Sequence, residues 1–160
     1  MEFPELVPQP SKGRVFSWRR RVRLGDVTGS GRFRLDAAAR FLQDVANDDG
    51  RDAQMEDLDG WVVRRTTMRI ESFPRYLEMV DLHTWCSGVG SHWAERRTSI
   101  VAESGGRVEA SALWVHVDLK TMWPKQLPST FHEIVGEATG GRKVGSRHLL
   151  RGKPEVSDAR

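Results

Sequence analysis

The stretch VRLGDVTGSGRFRLDAAARFLQDVAND, from Val22 to Asp48, decides the fold of this chain. It begins as a strand, passes through a glycine-containing loop and continues as a helix from Leu35. Apolar residues recur in the helical part at spacings of three and four, so they share one stripe. The stripe comprises Leu35, Ala38, Leu42, Val45, Ala46 and Asp49. We therefore predict a helix of about 14 residues that buries this stripe and ends near Gly50.

The segments on both sides of this stretch alternate as strands do. In residues 14–27 the apolar side chains share one face: Phe16, Trp18, Val22 and Leu24. After a turn at Asp59-Gly60, four long strands follow as far as Trp123, and the last of them puts Leu113, Val115, Val117 and Leu119 on one face. Short turns make neighbouring strands antiparallel. The predicted class is α+β, with a curved antiparallel sheet of about five to six strands wrapping one long central helix.

The chain length of 160 residues fits one domain. We expect an extended arm over residues 1–12, the domain over 13–128, and a polar segment or linker over 129–160 with a short helical or extended piece near Phe131 to Val135. Cys86 is the single cysteine, which excludes an internal disulfide and fits a cytoplasmic protein. No apolar run predicts a membrane helix, and the first residues do not resemble a secretory signal.

The net charge of +3 is mildly basic, and the arginines cluster. The clusters are 19–23, Arg64-Arg65 and Arg96-Arg97. They fit either an acidic partner or the outward faces of strands. No basic helix and no interleaving of aromatic and basic residues is present, so we do not expect nucleic acid as a partner.

The order of one strand, one long helix and four long strands is that of the hotdog fold. The segment WVVRRTTMRIESFPRYLEMVDLHTW, residues 61–85, resembles the acyl-acyl-carrier-protein thioesterase family of plants and bacteria. The segments DAAARFLQDVAND, residues 36–48, and ASALWVHVDLKTMWPKQLP, residues 110–128, are similar to its helix and to a later strand. The resemblance covers roughly Phe16 to Pro128.

The resemblance implies two hotdog halves in tandem that hydrolyse a fatty acyl thioester on a carrier protein. The family's catalytic loop, rich in Asp, Asn and His, precedes the helix of the second half. Here the corresponding loop keeps Asp26 but has Ser30 at the Asn position and Arg32 at the His position. A guanidinium stays charged and cannot accept a proton. The chain therefore resembles the non-catalytic first half.

Two carboxylates on the predicted helix are the catalytic candidates, while His83 and His116 fit a sheet-surface or interface position better than a base. Asp44 and Asp48 are four residues apart and share a face, and two like charges can raise one pKa. The alternative is a solvated or interface-facing acidic stripe. The five histidines show no metal-ligand spacing, so we expect no metal and no cofactor. Cys86 lies on an apolar strand face and is expected to be an inert buried thiol.

The resemblance implies that this half shapes an acyl channel. The expected substrate-binding residues are Phe41, Leu42, Trp61, Met68 and Trp114. The alternative for these side chains is ordinary core packing. The expected contacts to an acidic carrier protein are Arg64, Arg65, Arg96 and Arg97.

Three functions stay open at this point. The first is a thioester hydrolase that releases fatty acid from acyl-carrier protein, with this chain forming the acyl-pocket half. The second is a non-catalytic acyl-binding or dimerisation module. The third is a homodimeric acyl-CoA thioesterase that uses Asp44 or Asp48. The expected partners are an acyl thioester on carrier protein or CoA and a second hotdog, as a homodimer or in tandem.

Overall fold

A computed structural model describes Phe3, residues 5–55 and residues 60–147. Its strands are β1 (Phe16–Arg21), β2 (Gly60–Ser72), β3 (Met79–Val89), β4 (Trp93–Ala102) and β5 (Arg107–Val117). Its helices are α1 (Leu35–Asp52) and α2 (Ser129–Thr139), and a 3-10 turn spans Leu24–Asp26. Within the described residues the strands form one antiparallel sheet in the order β1–β3–β4–β5–β2. This is the predicted α+β arrangement of a long helix and an antiparallel sheet.

The apolar stripe of α1 packs on one face of the sheet, which we call the inner face. Ala38, Leu42 and Val45 are buried there, as their helical spacing predicts. They belong to one core cluster with Leu82 and Ile100. Full burial of a leucine or valine side chain contributes roughly 1.5–3 kcal/mol to the free energy of unfolding. This core fixes α1 across the strands.

Helix α1 runs two residues past its predicted end at Gly50 and stops at Asp52. A glycine inside a helix costs only about 1 kcal/mol relative to alanine. The backbone N–H of Met55 donates to the carbonyl of Gly50 at 2.8 Å after the last turn. The two additional residues are Arg51, which lines the larger cavity described below, and Asp52, which accepts a hydrogen bond from Arg14 Nη2 at 2.6 Å.

Two residues of the apolar face predicted for residues 14–27 are exposed. Trp18 is 48% exposed at the sheet edge, where it stacks on Phe16. Leu24 is exposed because β1 ends at Arg21 and the chain then turns. Leu113 is buried on the outer face, opposite α1. The inner face of β5 carries instead Val108, Ala110, Ala112 and Trp114.

Residues beyond 128 continue the packed structure. Helix α2 is longer than the piece predicted near Phe131 to Val135. The side chains of Phe131 and Val135 pack in one apolar cluster with Cys86 and Val89. On the outer face, Arg97 Nε donates to the Val7 carbonyl at 2.9 Å, so part of the predicted arm contacts the sheet. None of the described helices is long and apolar enough to span a membrane.

Candidate functional site

Two cavities among the described residues lie between α1 and the inner face of the sheet. The first has a volume of about 330 Å³ and lies under the C-terminal half of α1. The second has a volume of about 180 Å³ and lies between α1, β2 and β5. Arg96 and Trp114 line both cavities and so form the boundary between them.

Small side chains create this space. Ala94, Ala110 and Ala112 lie on the strands, and Ala39 and Ala46 lie on α1. Protein interiors are normally close-packed, so facing alanines leave a gap that larger side chains fill elsewhere. Small-molecule sites are typically concave, mostly apolar spaces of about 300–1,000 Å³, a range that includes the first cavity.

Four of the five residues expected to bind substrate line these cavities. Trp61 lines the first cavity, Leu42 and Met68 line the second, and Trp114 lines both. Phe41 lies instead in the core cluster, where the Arg20 guanidinium sits 3.9 Å above its ring. Their role in substrate binding stays a prediction.

The polar centre of the site is an ion-pair network that spans the helix and the sheet. Arg96 Nη1 donates to Asp49 Oδ2 at 2.7 Å and to Thr84 Oγ1 at 3.1 Å. Arg14 Nε donates to Asp49 Oδ1 at 2.8 Å, and Arg14 Nη2 donates to Asp52 at 2.6 Å. Burial would lower the pKa of Arg14, but the bonds to Asp52 and Asp49 raise it. The hydrogen bonds to Asp49 and Thr84 fix the Arg96 side chain beside the cavities.

Two sequence signals pointed to this network. Asp49 is a carboxylate on an otherwise apolar helical stripe, and Arg96 shares its strand face with Ala94, Thr98 and Ile100. A charge at an inward position requires a partner. Asp49 was expected on the apolar stripe, whereas Arg96 was expected to contact a carrier protein, and periodicity cannot pair residues 47 apart in the chain.

The two carboxylates proposed as catalytic lie outside the lining of the two cavities. Asp44 accepts a hydrogen bond from Arg20 Nη1 at 2.7 Å, which ties α1 to β1. Asp48 is half-buried on the same side of α1. Asp49, their neighbour, is the carboxylate of this segment that lies beside the cavities.

The loop before α1 is held by structural contacts. Asp26 is buried, accepts the backbone N–H of Arg23 at 2.8 Å and forms an ion pair with Arg40. The guanidinium of Arg32 sits 4.7 Å above the ring of Phe73. Ser30 bonds to the hydroxyl of Thr28 at 2.9 Å. Each group at a position of the expected catalytic motif therefore has a local partner.

Cys86 and His116, two other candidates for a nucleophile or a base, are buried. Burial raises the pKa of the Cys86 thiol to about 11, so the thiol is unreactive near neutral pH. His116 is buried, with Nδ1 within 3.2 Å of two backbone carbonyls and its ring against Trp61. In the described part of the chain no cluster of three His, Cys, Asp or Glu side chains could hold a metal ion.

The arginines expected to meet a carrier protein occupy different environments. Arg64 is exposed on β2, and Arg65 Nη1 donates to the Arg147 carbonyl at 2.7 Å. Arg96 lines the cavities, whereas Arg97 is buried on the outer face beside Glu109. Of the four, Arg64 offers the most accessible charge.

Known proteins resemble this chain in sequence and in fold. Residues 13–135 match the model of the acyl-ACP thioesterase N-terminal domain. An uncharacterized protein of Mycobacterium tuberculosis is 28% identical over 148 residues, which cover 92% of this chain and 59% of that protein. The chain thus spans little more than half the length of this relative.

Solved structures share the fold at low identity. A 12:0-ACP thioesterase from Umbellularia californica superposes with a TM-score of 0.69 and 18% identity, covering 93% of this chain and 64% of that chain. An acyl-ACP thioesterase from Bacteroides thetaiotaomicron gives 0.69 and 16%, covering 86% and 58%. Such identities establish the hotdog fold alone. Because the N-terminal domain model matches most of its length, the chain belongs to the acyl-ACP thioesterase family.

Proposed function

We propose that this chain is the acyl-binding half of a hydrolase acting on fatty acyl thioesters. The observation that carries the proposal is the pair of cavities between α1 and the sheet, in a domain of this family. An acyl chain in this space would replace water against Trp61, Met68 and Trp114. Burial of apolar surface contributes roughly 25 cal/mol per Å².

The chemistry would come from a second hotdog half. Hydrolysis needs a group that activates water and donors for the oxyanion. In the loop before α1, Asp26 is paired with Arg40 and Arg32 is a cation. A carboxylate or histidine of the second half would activate the water that attacks the thioester carbonyl, and the carrier thiol would leave. The chain covers only 59% of the mycobacterial relative, which supports a division of acyl binding and catalysis between two halves.

The second half would join at strand β2. This strand of 13 residues is at the sheet edge, with β5 on one side. Val62 and Val63 are 42% and 39% exposed there. Long edge strands with exposed apolar side chains invite pairing with another strand. A second hotdog, in tandem or as a homodimer, would extend the sheet at this edge.

The acyl group would arrive on a carrier protein or on CoA. Arg64 is an accessible charge on β2, close to the proposed joint with the second half. An acidic carrier protein would be attracted to such a surface. The carrier protein and CoA both present the acyl group as a thioester on a phosphopantetheine arm.

A non-catalytic acyl-binding module is the second candidate, and the structural contacts of the loop favour it for this chain taken alone. One experiment tests both. The purified chain is incubated with acyl-CoA and acyl-carrier thioesters, and bound ligand and released thiol are measured. We expect binding with no thiol release, and release once the second half is supplied.

Three other outcomes of this experiment would favour or contradict particular candidate functions. Absence of acyl binding would contradict both candidates. Binding without release, even in the presence of the second half, would favour the module. Release by the isolated chain that is lost in Asp44→Ala or Asp48→Ala would favour the homodimeric acyl-CoA thioesterase.

A further inference from the structure

Arg96 lies at the boundary of the two cavities, where apolar side chains surround much of it. Arg96 lines both cavities, and its side chain is 16% exposed. Its neighbours at the boundary are the Trp114 ring and, in the second cavity, Leu42 and Met68. Charged side chains are rarely enclosed by apolar surface without a partner for each donor.

Two nitrogens of this guanidinium group, Nε and Nη2, make no hydrogen bond to a residue that the structure describes. The hydrogen bonds of Arg96 to Asp49 and Thr84 both come from Nη1. Among the described residues, the fully enclosed side-chain atoms without a hydrogen-bond partner are Trp114 Nε1 and His116 Nε2. Nε and Nη2 of Arg96 are therefore neither bonded to a described residue nor sealed in the packing. They face accessible space, and the space that Arg96 lines is the pair of cavities.

A saturated acyl chain that crosses this boundary would bind with a free-energy cost. It would cover the free N–H groups of Arg96 with methylene groups, and an unmade hydrogen bond from a charged donor is costly. An oxygen at the same depth would accept from these donors instead. Asp49 already balances the charge of Arg96, which favours a neutral oxygen over a second carboxylate.

We propose that Arg96 forms an oxygen-binding subsite, and that the pocket selects acyl chains carrying a hydroxyl or oxo group at the depth of the boundary. The inference rests on the proposed function, because it concerns the substrate class of the same pocket. Arg96 acts here as a specificity-determining residue. The reaction that supplies this substrate would be one that leaves an oxygen on the acyl chain.

The test compares ligands of equal length on the full 160-residue chain. Non-hydrolysable thioether analogues of a saturated acyl-CoA, of its monohydroxylated positional isomers and of its oxo derivatives are titrated by calorimetry. We expect one oxygen position to bind about tenfold more tightly than the saturated chain, since a hydrogen bond from a charged donor is strong. In Arg96→Met this advantage disappears, while the saturated chain binds at least as well.

Two features make the comparison decisive. In Arg96→Met, Asp49 still accepts from Arg14, so no buried carboxylate is left unpaired. The wild-type comparison decides the proposal even if this variant does not fold. Trp61→Phe is the matched control, since it alters the first cavity away from the boundary and should keep the preference.

The outcomes separate the two proposals. Equal affinity for saturated and oxygenated chains would overturn the subsite and leave acyl binding intact. A preference that survives in Arg96→Met would also overturn it. Failure of every analogue to bind would contradict the proposed function itself, and the subsite with it.

Discussion

Arg97 and Glu109 form an ion pair on the outer face of the sheet, with Nη2 2.8 Å from Oε2 and side chains only 3% and 7% exposed. Arg97 also donates to the carbonyls of Val7 and Ala110, and its guanidinium lies 5.1 Å from the Trp85 ring. Glu109 accepts further bonds from Ser99 and Arg107. The pair joins β4, β5 and the N-terminal arm.

Loss of this arginine should destabilise the fold strongly. Arg97→Met leaves Glu109 without its buried partner and frees the Val7 carbonyl. Breaking a buried pair typically costs about 3–5 kcal/mol, and the remaining bonds to Ser99 and Arg107 favour the lower value. The measurement is the free energy of unfolding in urea.

Arg69→Met is the matched control for that variant. Arg69 pairs with Glu71 at 3.4 Å on the exposed side of β2. Exposed pairs contribute only about 0–1 kcal/mol. Equal losses in the two variants would show that the buried pair has no special role.

The same carboxylate gives a pH dependence. Burial would raise the pKa of Glu109, but hydrogen bonds from Arg97, Arg107 and Ser99 outweigh it and hold the pKa below its ordinary value of 4.5. A depressed folded-state pKa stabilises the protein above the unfolded pKa, and this stabilisation is lost as the pH falls through the folded value. The stability gap between wild type and Glu109→Gln should therefore be largest near neutral pH and shrink below the ordinary pKa.

Urea unfolding of both proteins across the acid range checks this. Asp36, Glu78 and Asp118 also have lowered pKa values, and they are common to both proteins. Their contributions cancel in the difference. A gap that stays constant with pH would show that Glu109 does not titrate differently in the folded state.

The burial of Arg97 is a feature that the sequence did not predict. The sequence predicts Arg97, like Arg96, to be a contact to a carrier protein or an outward-facing strand residue. The arm near Val7 and the neighbouring strands bury it instead. Contacts between the N-terminal arm and position 97 leave no local pattern in the sequence.

The helix and its pocket were more predictable. The spacing of Ala38, Leu42 and Val45 identified the buried stripe because α1 meets a single sheet face. The large residues Trp61 and Trp114 were candidates for the pocket, and both line it. The cavities themselves arise from alanines, whose small size is not a signal in one sequence. Which alanines face one another depends on strand register.

The thiol of Cys86 should report on the first cavity. Its pKa of about 11, raised by burial, leaves only about one thiolate in a thousand at pH 8. We expect slow alkylation of the folded chain and fast alkylation in urea. Since Cys86 lines the first cavity, a bound acyl ligand should slow the reaction of the folded chain further. Mass spectrometry measures the rates, and rapid labelling of the folded protein would contradict the buried position.

Filling the two cavities separately should alter acyl selection in different ways. Ala112→Leu projects into the second cavity, and Ala46→Leu projects into the first. If the chain enters through the larger cavity, Ala112→Leu weakens the binding of long acyl chains and spares short ones. Ala46→Leu weakens both. Each lost methylene contact is worth about 0.8 kcal/mol, or roughly fourfold in affinity.

Calorimetry with saturated acyl-CoA thioether analogues of increasing length gives the comparison. Thermal melting of both variants controls for overpacking, which costs about 1–3 kcal/mol. Equal loss across all chain lengths in Ala112→Leu would show that acyl groups do not reach the second cavity.

The edge of β2 should govern assembly. Val63 is 39% exposed on this strand, and a lysine there would place a charge at the proposed joint. We expect the wild-type chain to self-associate or to bind a second hotdog half, and Val63→Lys to weaken either association at least tenfold. Ser17→Lys on β1, the opposite edge of the sheet, is the matched control and should leave association unchanged. Light scattering coupled to size exclusion measures the mass, and equal effects of the two variants would place the joint elsewhere.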